Sequence, residues 1–315
     1  ALWVFLRYRK ELVNRPVRHD FVRLRPDAIK RNRKTGIFIL IFSLPLVTLL
    51  YKFAQTANVM MIIFGIAAFI MVLYLSRFET PEYRKKLRVF VMLCVISVMF
   101  WSLSMLGPSA VTLLIDGHVD RHVFGHLVPT AMYLALNPLF IMIVGVVFAF
   151  LWFRIKRRHY SISIPIRIAL GVVLMGFGFL VLAFGVAHHD AHNIVSSNWI
   201  VASYFLQACG ELLVAPIGIA MVGEFSPVRM EGLMMGVFTT VVGLGGAISS
   251  FLSDYASPVN MLKHGASALH IYAHAFTGYG VAAVLVGIVG LCLLPLFKRM
   301  LKQTGQIGKK PCQPA

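Results

Sequence analysis

The 315 residues are 58% hydrophobic and only 13% charged, with a mean hydropathy of +0.79. A water-soluble domain of this length cannot bury so much apolar surface, so the composition excludes a soluble globular protein and indicates an integral membrane protein. The formal net charge of +18 does not signal nucleic acid, because the basic residues are dealt out along the chain in step with its apolar stretches.

The first six residues, ALWVFL, run straight into RYRK and read as the end of a helix whose beginning is missing. From Arg7 to Lys34 the chain is basic and broken by Pro16 and Pro26, so residues 1–34 are expected to be that helix end plus a cytoplasmic linker. Eight apolar stretches follow, near 36–54, 58–76, 88–107, 131–153, 165–187, 199–222, 232–252 and 276–297. Each is long enough, at about 1.5 Å per residue, to cross roughly 30 Å of hydrocarbon. The first two, with a short turn around Gln55 to Asn58, predict a transmembrane hairpin over 35–76. The basic segment RFETPEYRKKLR at 77–88 marks a cytoplasmic linker over 77–87, six spans occupy 88–298, and 299–315 is a cytoplasmic tail.

Eleven Lys and Arg precede the first span, five fall at 77–88, five at 154–167 and five after 297, whereas the loops between hold only Arg121 and Lys263. Arg229 marks one further basic turn. This alternation follows the positive-inside rule, places both termini on the cytoplasmic side and suits contact with anionic lipid headgroups. Cys94, Cys209 and Cys292 lie in spans and Cys312 in the tail, with neither a disulfide framework nor zinc spacing.

Within the last six spans, polar and helix-perturbing residues gather at Trp101 and Ser102, Asn137 and Pro138, Glu211 and Pro216, and Gly243 to Ser250. Glu211 is the acidic residue well inside an apolar stretch. A charge near the bilayer centre costs about 2.5–3.5 kcal/mol on insertion scales, so such a residue faces a polar path or a partner. That makes Glu211 a transport-site candidate; the alternative is a carboxylate that ties two helices together. Pro138 and Pro216 should kink their helices or end one near its mouth. VVGLGGAISS at 241–250 lies in an apolar span with no preceding strand and no GK[ST] ending, so it reads as a close-packing stripe rather than a phosphate loop.

Nine of the eleven histidines fall in loops that the charge pattern puts outside. His118, His122 and His126 have a spacing compatible with one helical face, and HHDAH at 188–192 could bind metal. A histidine-rich membrane metalloenzyme is therefore one reading. The HHDAH run is similar to the histidine boxes of membrane di-iron desaturases, but that resemblance implies boxes on the cytoplasmic side in HxxHH order, opposite to where these histidines fall, and solvated loops that become charged in an acidic exterior account for them too.

Three stretches carry a family resemblance: FWSLSMLGPSAVTLLIDGHVDR at 100–121, ALNPLFIMIVGVVFAFLW at 135–152 and GELLVAPIGIAMVGEFSPVRMEGLMMGVF at 210–238. In this order they resemble the seventh, eighth and tenth-to-eleventh helices of the proton-dependent oligopeptide transporters, a branch of the major facilitator superfamily whose two six-helix halves rock about a midplane site. The hairpin at 35–76 resembles the extra helix pair that bacterial members insert between the halves. The resemblance implies an all-α membrane fold of about eight transmembrane helices, a hairpin followed by the C-terminal six-helix bundle.

It also implies a function. The chain would be the C-terminal half of a proton-coupled di- and tripeptide symporter of the bacterial inner membrane, with no cofactor or metal and no enzymatic activity. The family's acidic first-helix motif with its Arg has no counterpart here, so an N-terminal six-helix half is the expected partner; a non-transporting remnant or scaffold is the other possibility. Glu211 matches the carboxylate that receives the substrate's amino terminus and takes part in proton-coupled gating. Asn137 matches a side chain that contacts the peptide, with an interhelical hydrogen bond as its alternative. Trp101 and Phe238 would be aromatic pocket walls, or ordinary packing, and Glu224, Arg229 and Glu231 would supply gate ion pairs in the cytoplasmic turn. The chain departs from the family pattern at Ser104 and Met105, where a carboxylate is frequent, at Ala215, where Ser is, and at Phe238, where Trp is.

Overall fold

A computed structural model describes residues 52–123, 126–157, 163–190, 192–256 and 268–305, together with Ile41, Ser43, Pro45 and Thr48. The chain divides into two units, 1–57 and 58–315. In the first, the described positions 41, 43, 45 and 48 are helical, and the Thr48 hydroxyl donates to the Pro45 carbonyl at 2.8 Å. The expected linker at 1–34 and most of the expected 36–54 span lie outside the described residues.

Seven helices among the described residues are long and apolar enough to cross a membrane. Helix α1, Ala54–Leu75, starts before the turn expected at Gln55 to Asn58: Ala54, Gln55 and Ala57 favour helix and no breaker interrupts them. A 3₁₀ turn at Ser76–Phe78 leads to α2, Pro81–Ser104. Most of the expected 77–87 linker is therefore helical. Pro81 occupies the first turn, where its missing N–H costs nothing, and Arg84 ties the turn down by donating to the carbonyls of Arg77 and Ser76.

The span expected to close at 107 instead runs on to His118. Pro108 cannot donate, and the chain widens into a π turn, Gly107–Val111, before α3, Thr112–His118. There the Val111 N–H reaches the Leu106 carbonyl at 3.1 Å and the Thr112 hydroxyl donates to the Gly107 carbonyl at 2.8 Å, so helix continues in the wider register. A two-residue antiparallel pair, β1 His122–Val123 and β2 His126–Leu127, precedes α4, Thr130–Leu134, and α5, Leu136–Arg157. Because Val119 is already extended after α3, His118, His122 and His126 do not share a helical face. Then come α6, Ile164–Ala187, α7, Ser197–Phe225, α8, Glu231–Tyr255, and α9, Ala268–Cys292.

Residues 294–305, split between the last expected span and the tail, form a separate helix, α10, Leu294–Gly305. Leu294, Phe297 and Leu301 recur at helical spacing on its inner side, with Phe297 buried and Lys298 and Arg299 exposed. This amphipathic stripe docks the helix along α2.

Helix α6 stands between α7 and α9, and glycines bring the backbones together. A Cβ on Gly171 would lie 2.9 Å from the Gly210 carbonyl oxygen, and one on Gly210 would lie 2.8 Å from that of Gly171. Gly176 and Gly280 form the corresponding pair between α6 and α9. In the small-residue run at 241–250, Gly243 admits the Met61 side chain and Gly245 lies against the backbone of Trp101 and Ser102, the close approach that small residues allow between membrane helices.

Gly210→Ala is expected to lower the melting temperature of detergent-solubilised protein, at an overpacking cost of about 1–3 kcal/mol. Gly236→Ala, with nothing within 4 Å of the added methyl, is expected to be neutral or slightly stabilising, and equal melting of the two variants would refute the backbone-contact argument.

Candidate functional site

Tyr204, Gln207 and Glu211 are spaced i, i+3 and i+7 on α7, which puts all three on one face of the helix. That face meets the first turn of α5, where Asn137 and Pro138 sit, and the π turn carrying Gly107 and Pro108. Together they enclose a cavity of about 240 Å³, completed by Ser104, Leu134 and Met175. Pro138 falls in the opening turn of α5, where an N–H is not required. Pro216 lies inside α7, and the helix continues through it.

The Asn137 amide donates to Glu211 Oε2 at 2.9 Å, joining α5 to α7. Glu211 is half-buried and, among the described residues, is the one carboxylate in the cavity wall. Two polar atoms here have no partner among the described residues, Asn137 Oδ1 and the Tyr204 hydroxyl. Buried polar atoms in folded proteins are nearly always paired, so their presence in a cavity wall equips it to meet a ligand. Gln207 is already engaged: its amide donates to the Ser203 hydroxyl, which donates to the Gly178 carbonyl. The residues of the cavity wall thus carry a carboxylate, an unpaired amide oxygen and an unpaired hydroxyl that can donate or accept, a set that suits a cationic amine next to a further polar group.

The POT family model matches residues 15–267. The chain belongs to the POT family. It is 28% identical over 266 residues to the dipeptide and tripeptide permease A of Chromobacterium violaceum, covering 84% of this chain and 52% of that protein. It is 31% identical over 218 residues to the permease of the same name from Klebsiella pneumoniae, covering 69% and 43%. The chain therefore spans about half the length of these relatives. Among solved structures, a crystal structure of peptide transporter POT in complex with sulfate matches with a TM-score of 0.71 at 25% identity, over 96% of this chain and 60% of that one. A mutant of peptide transporter POT in complex with alafosfalin matches with a TM-score of 0.70 at 26% identity, over 96% and 59%. The all-α multi-pass membrane fold expected of a POT member is the one observed.

Of the side chains singled out in the sequence, the fold brings Glu211 and Asn137 together at the cavity and leaves Trp101 and Phe238 out of its wall. Trp101 packs edge-on against Phe100, and its backbone abuts Gly245; its indole N–H is buried without a partner among the described residues. Phe238 is 5% exposed and fills the space above Gly218 of α7. Ser104, one of the departures from the POT pattern, does line the cavity. Tyr204 was missed in the sequence because a tyrosine two turns from a membrane carboxylate looks like packing; its signal is the i, i+7 spacing to Glu211.

The expected gate trio is rearranged as well. Arg229, in the 3₁₀ turn Val228–Met230, pairs with Glu79, which lies just before α2, and not with its sequence neighbours Glu224 and Glu231. Glu224 is close enough to Arg167 to attract it electrostatically. Glu231 stands in the first turn of α8, where a negative charge complements the helix dipole. The available signal was Glu79 itself, an acid within a basic segment.

On the histidine side, His122 bonds Asp120 through both its backbone N–H and its ring, and these bonds hold the Asp120 carboxyl below its usual range. Among the described residues no three His, Cys, Asp or Glu side chains gather around one point; His264 and position 191 of the HHDAH run lie outside those residues.

The Glu79 side chain is 7% exposed and that of Arg229 69%, so the pair is desolvated on one side only. A double-mutant cycle of Glu79→Gln and Arg229→Gln, read by thermal unfolding in detergent, is expected to give a coupling of about 1 kcal/mol; a coupling indistinguishable from zero would show that the contact does no structural work.

Proposed function

We propose that these helices form the substrate-binding C-terminal half of a proton-coupled symporter of di- and tripeptides in a bacterial inner membrane, with both termini cytoplasmic. The observation that carries the reading is the Glu211–Asn137 pair in the wall of a small polar cavity. The relatives named as dipeptide and tripeptide permeases supply the substrate class. In this reading Glu211 receives the peptide's amino terminus, Asn137 Oδ1 and the Tyr204 hydroxyl take its backbone amide and carbonyl, and a proton on Glu211 competes with the bound ammonium. Binding and protonation then communicate through one carboxylate.

Trp101 and Phe238 act one layer back in the proposed site. Trp101 holds α2 against α8 and Phe238 holds α8 against α7, so each sets the cavity's shape rather than touching the peptide. The Glu79–Arg229 pair serves as the gate contact, in place of a pair within the turn. Among the described residues the domains are then helix α1, a short connection and a six-helix bundle that ends at α10. A second six-helix half supplies the opposite wall of the site, and the reaction is transport, with no bond made or broken in the peptide.

The test is uptake of labelled dialanine into liposomes driven by a proton gradient, with this chain alone and with a candidate N-terminal half co-reconstituted. Uptake is expected in the pair and not in the chain alone. Glu211→Gln should reduce it at least about tenfold, and Tyr204→Phe about five- to tenfold through loss of a hydroxyl contact. Proton-driven uptake that survives Glu211→Gln would remove the proposed role of that carboxylate; no uptake by two folded halves would favour a non-transporting remnant.

A further inference from the structure

Histidines crowd one end of the bundle, and two of them stand where one ion can bridge them. His270 and His274 are four residues apart on α9, so their imidazoles leave the same helical face one turn apart. Both line one open concavity of about 600 Å³. Ala273, Gly278 and Ala282 in that lining keep the space beside the rings clear. Both histidines are exposed, and among the described residues neither imidazole is held by a hydrogen bond or an ion pair.

The end of α6 reaches the same concavity through Ala187. The next two residues, His188 and His189, turn Nδ1 to the backbone carbonyls of Phe184 and Val186, at 2.9 and 3.0 Å. An imidazole whose Nδ1–H is given to a carbonyl presents the Nε2 lone pair outward, the tautomer that metal-binding histidines use. These two rings are neighbours rather than ligands in the observed geometry, since no three candidate side chains converge among the described residues.

We propose that His270 and His274 chelate a divalent transition-metal ion at this end of α9, with water completing its coordination. Two histidines at i and i+4 on one helical face are the spacing with which helices hold zinc. Imidazole pairs suit zinc, nickel and copper(II), whereas calcium and magnesium require several oxygen ligands, carboxylates above all; the rest of the lining offers no carboxylate, and its one side-chain hydroxyl, Thr277, already donates to the Ala273 carbonyl at 2.7 Å. The site lies apart from the Glu211 cavity and shares no lining residue with it.

The experiment is calorimetric titration of the full chain in detergent with Ni²⁺ at neutral pH, any purification tag removed. The comparison set is His270→Ala, His274→Ala and the double variant His122→Ala/His126→Ala, with thermal melts to show that each is folded. One equivalent is expected to bind the unsubstituted chain, to weaken at least about tenfold in either single variant because chelation needs both rings, and to persist in the double variant. Affinity within about twofold of the unsubstituted chain in both single variants would overturn the proposal, as would loss of the equivalent in His122→Ala/His126→Ala or equally tight binding of Ca²⁺. Since every arm reads metal binding and none reads transport, the outcome is independent of the peptide-transport reading.

Discussion

Backbone-to-backbone contact between α6 and α7 at Gly171 and Gly210 sets where the rest of the site can stand. In a membrane the helices gain little from hiding apolar surface from one another, because lipid is as apolar as the core; association rests on close packing and on interhelical hydrogen bonds. Glycine permits that packing by removing the side chain between two backbones. Gly210 immediately precedes Glu211, so the contact that locks α7 against α6 also fixes the height and rotation of the carboxylate. The opposite side of α6 repeats the device with α9 through Gly176 and Gly280, which makes α6 the spine on which both neighbours are placed.

The second requirement is that a carboxylate at this depth have a partner. Asn137 supplies one from the first turn of α5, a place where the helix has just begun and Pro138 costs no hydrogen bond. The π turn at Gly107–Val111 has a related origin: a proline in mid-helix, accommodated by widening the register, brings Gly107 and Pro108 rather than bulky side chains to the cavity wall. Two prolines, one held in a π turn and one in a first helical turn, therefore line the cavity that Glu211, Asn137 and Tyr204 also line. At the other end of α7, the Glu79–Arg229 contact ties the start of α2 to the turn before α8, so the helices that frame the cavity are linked at their ends as well as along their lengths.

Much of this was legible in the chain. Spans, their order and the polar positions follow from hydropathy, since a helix that crosses hydrocarbon must be apolar for about twenty residues and satisfy its own backbone. Glu211 was legible because its cost in the bilayer makes it conspicuous, and Asn137 because it sits beside a proline in an otherwise apolar run. The misplaced boundaries have separate causes: Pro81 and the basic residues after it look like a linker but are the opening turns of α2, where a proline is tolerated, and Leu294–Leu301 looks like a span end running into a tail but is amphipathic enough to form its own helix docked along α2. Trp101 and Phe238 had the right chemistry for pocket walls, yet a glycine on the facing helix, Gly245 and Gly218 respectively, drew each into packing instead.

The sequence by itself determined that this is a multi-pass helical membrane protein, the order of its described spans though not their ends, and which carboxylate is out of place in them, because composition and period act locally and lipid imposes one solution on the backbone. Only the tertiary structure decided which polar groups meet. That Asn137 reaches Glu211 across 74 positions, that Arg229 chooses Glu79 across 150, and that Tyr204 is left facing a cavity depend on helix rotation and spacing, which are set by contacts between distant glycines and carry no signature within either segment alone.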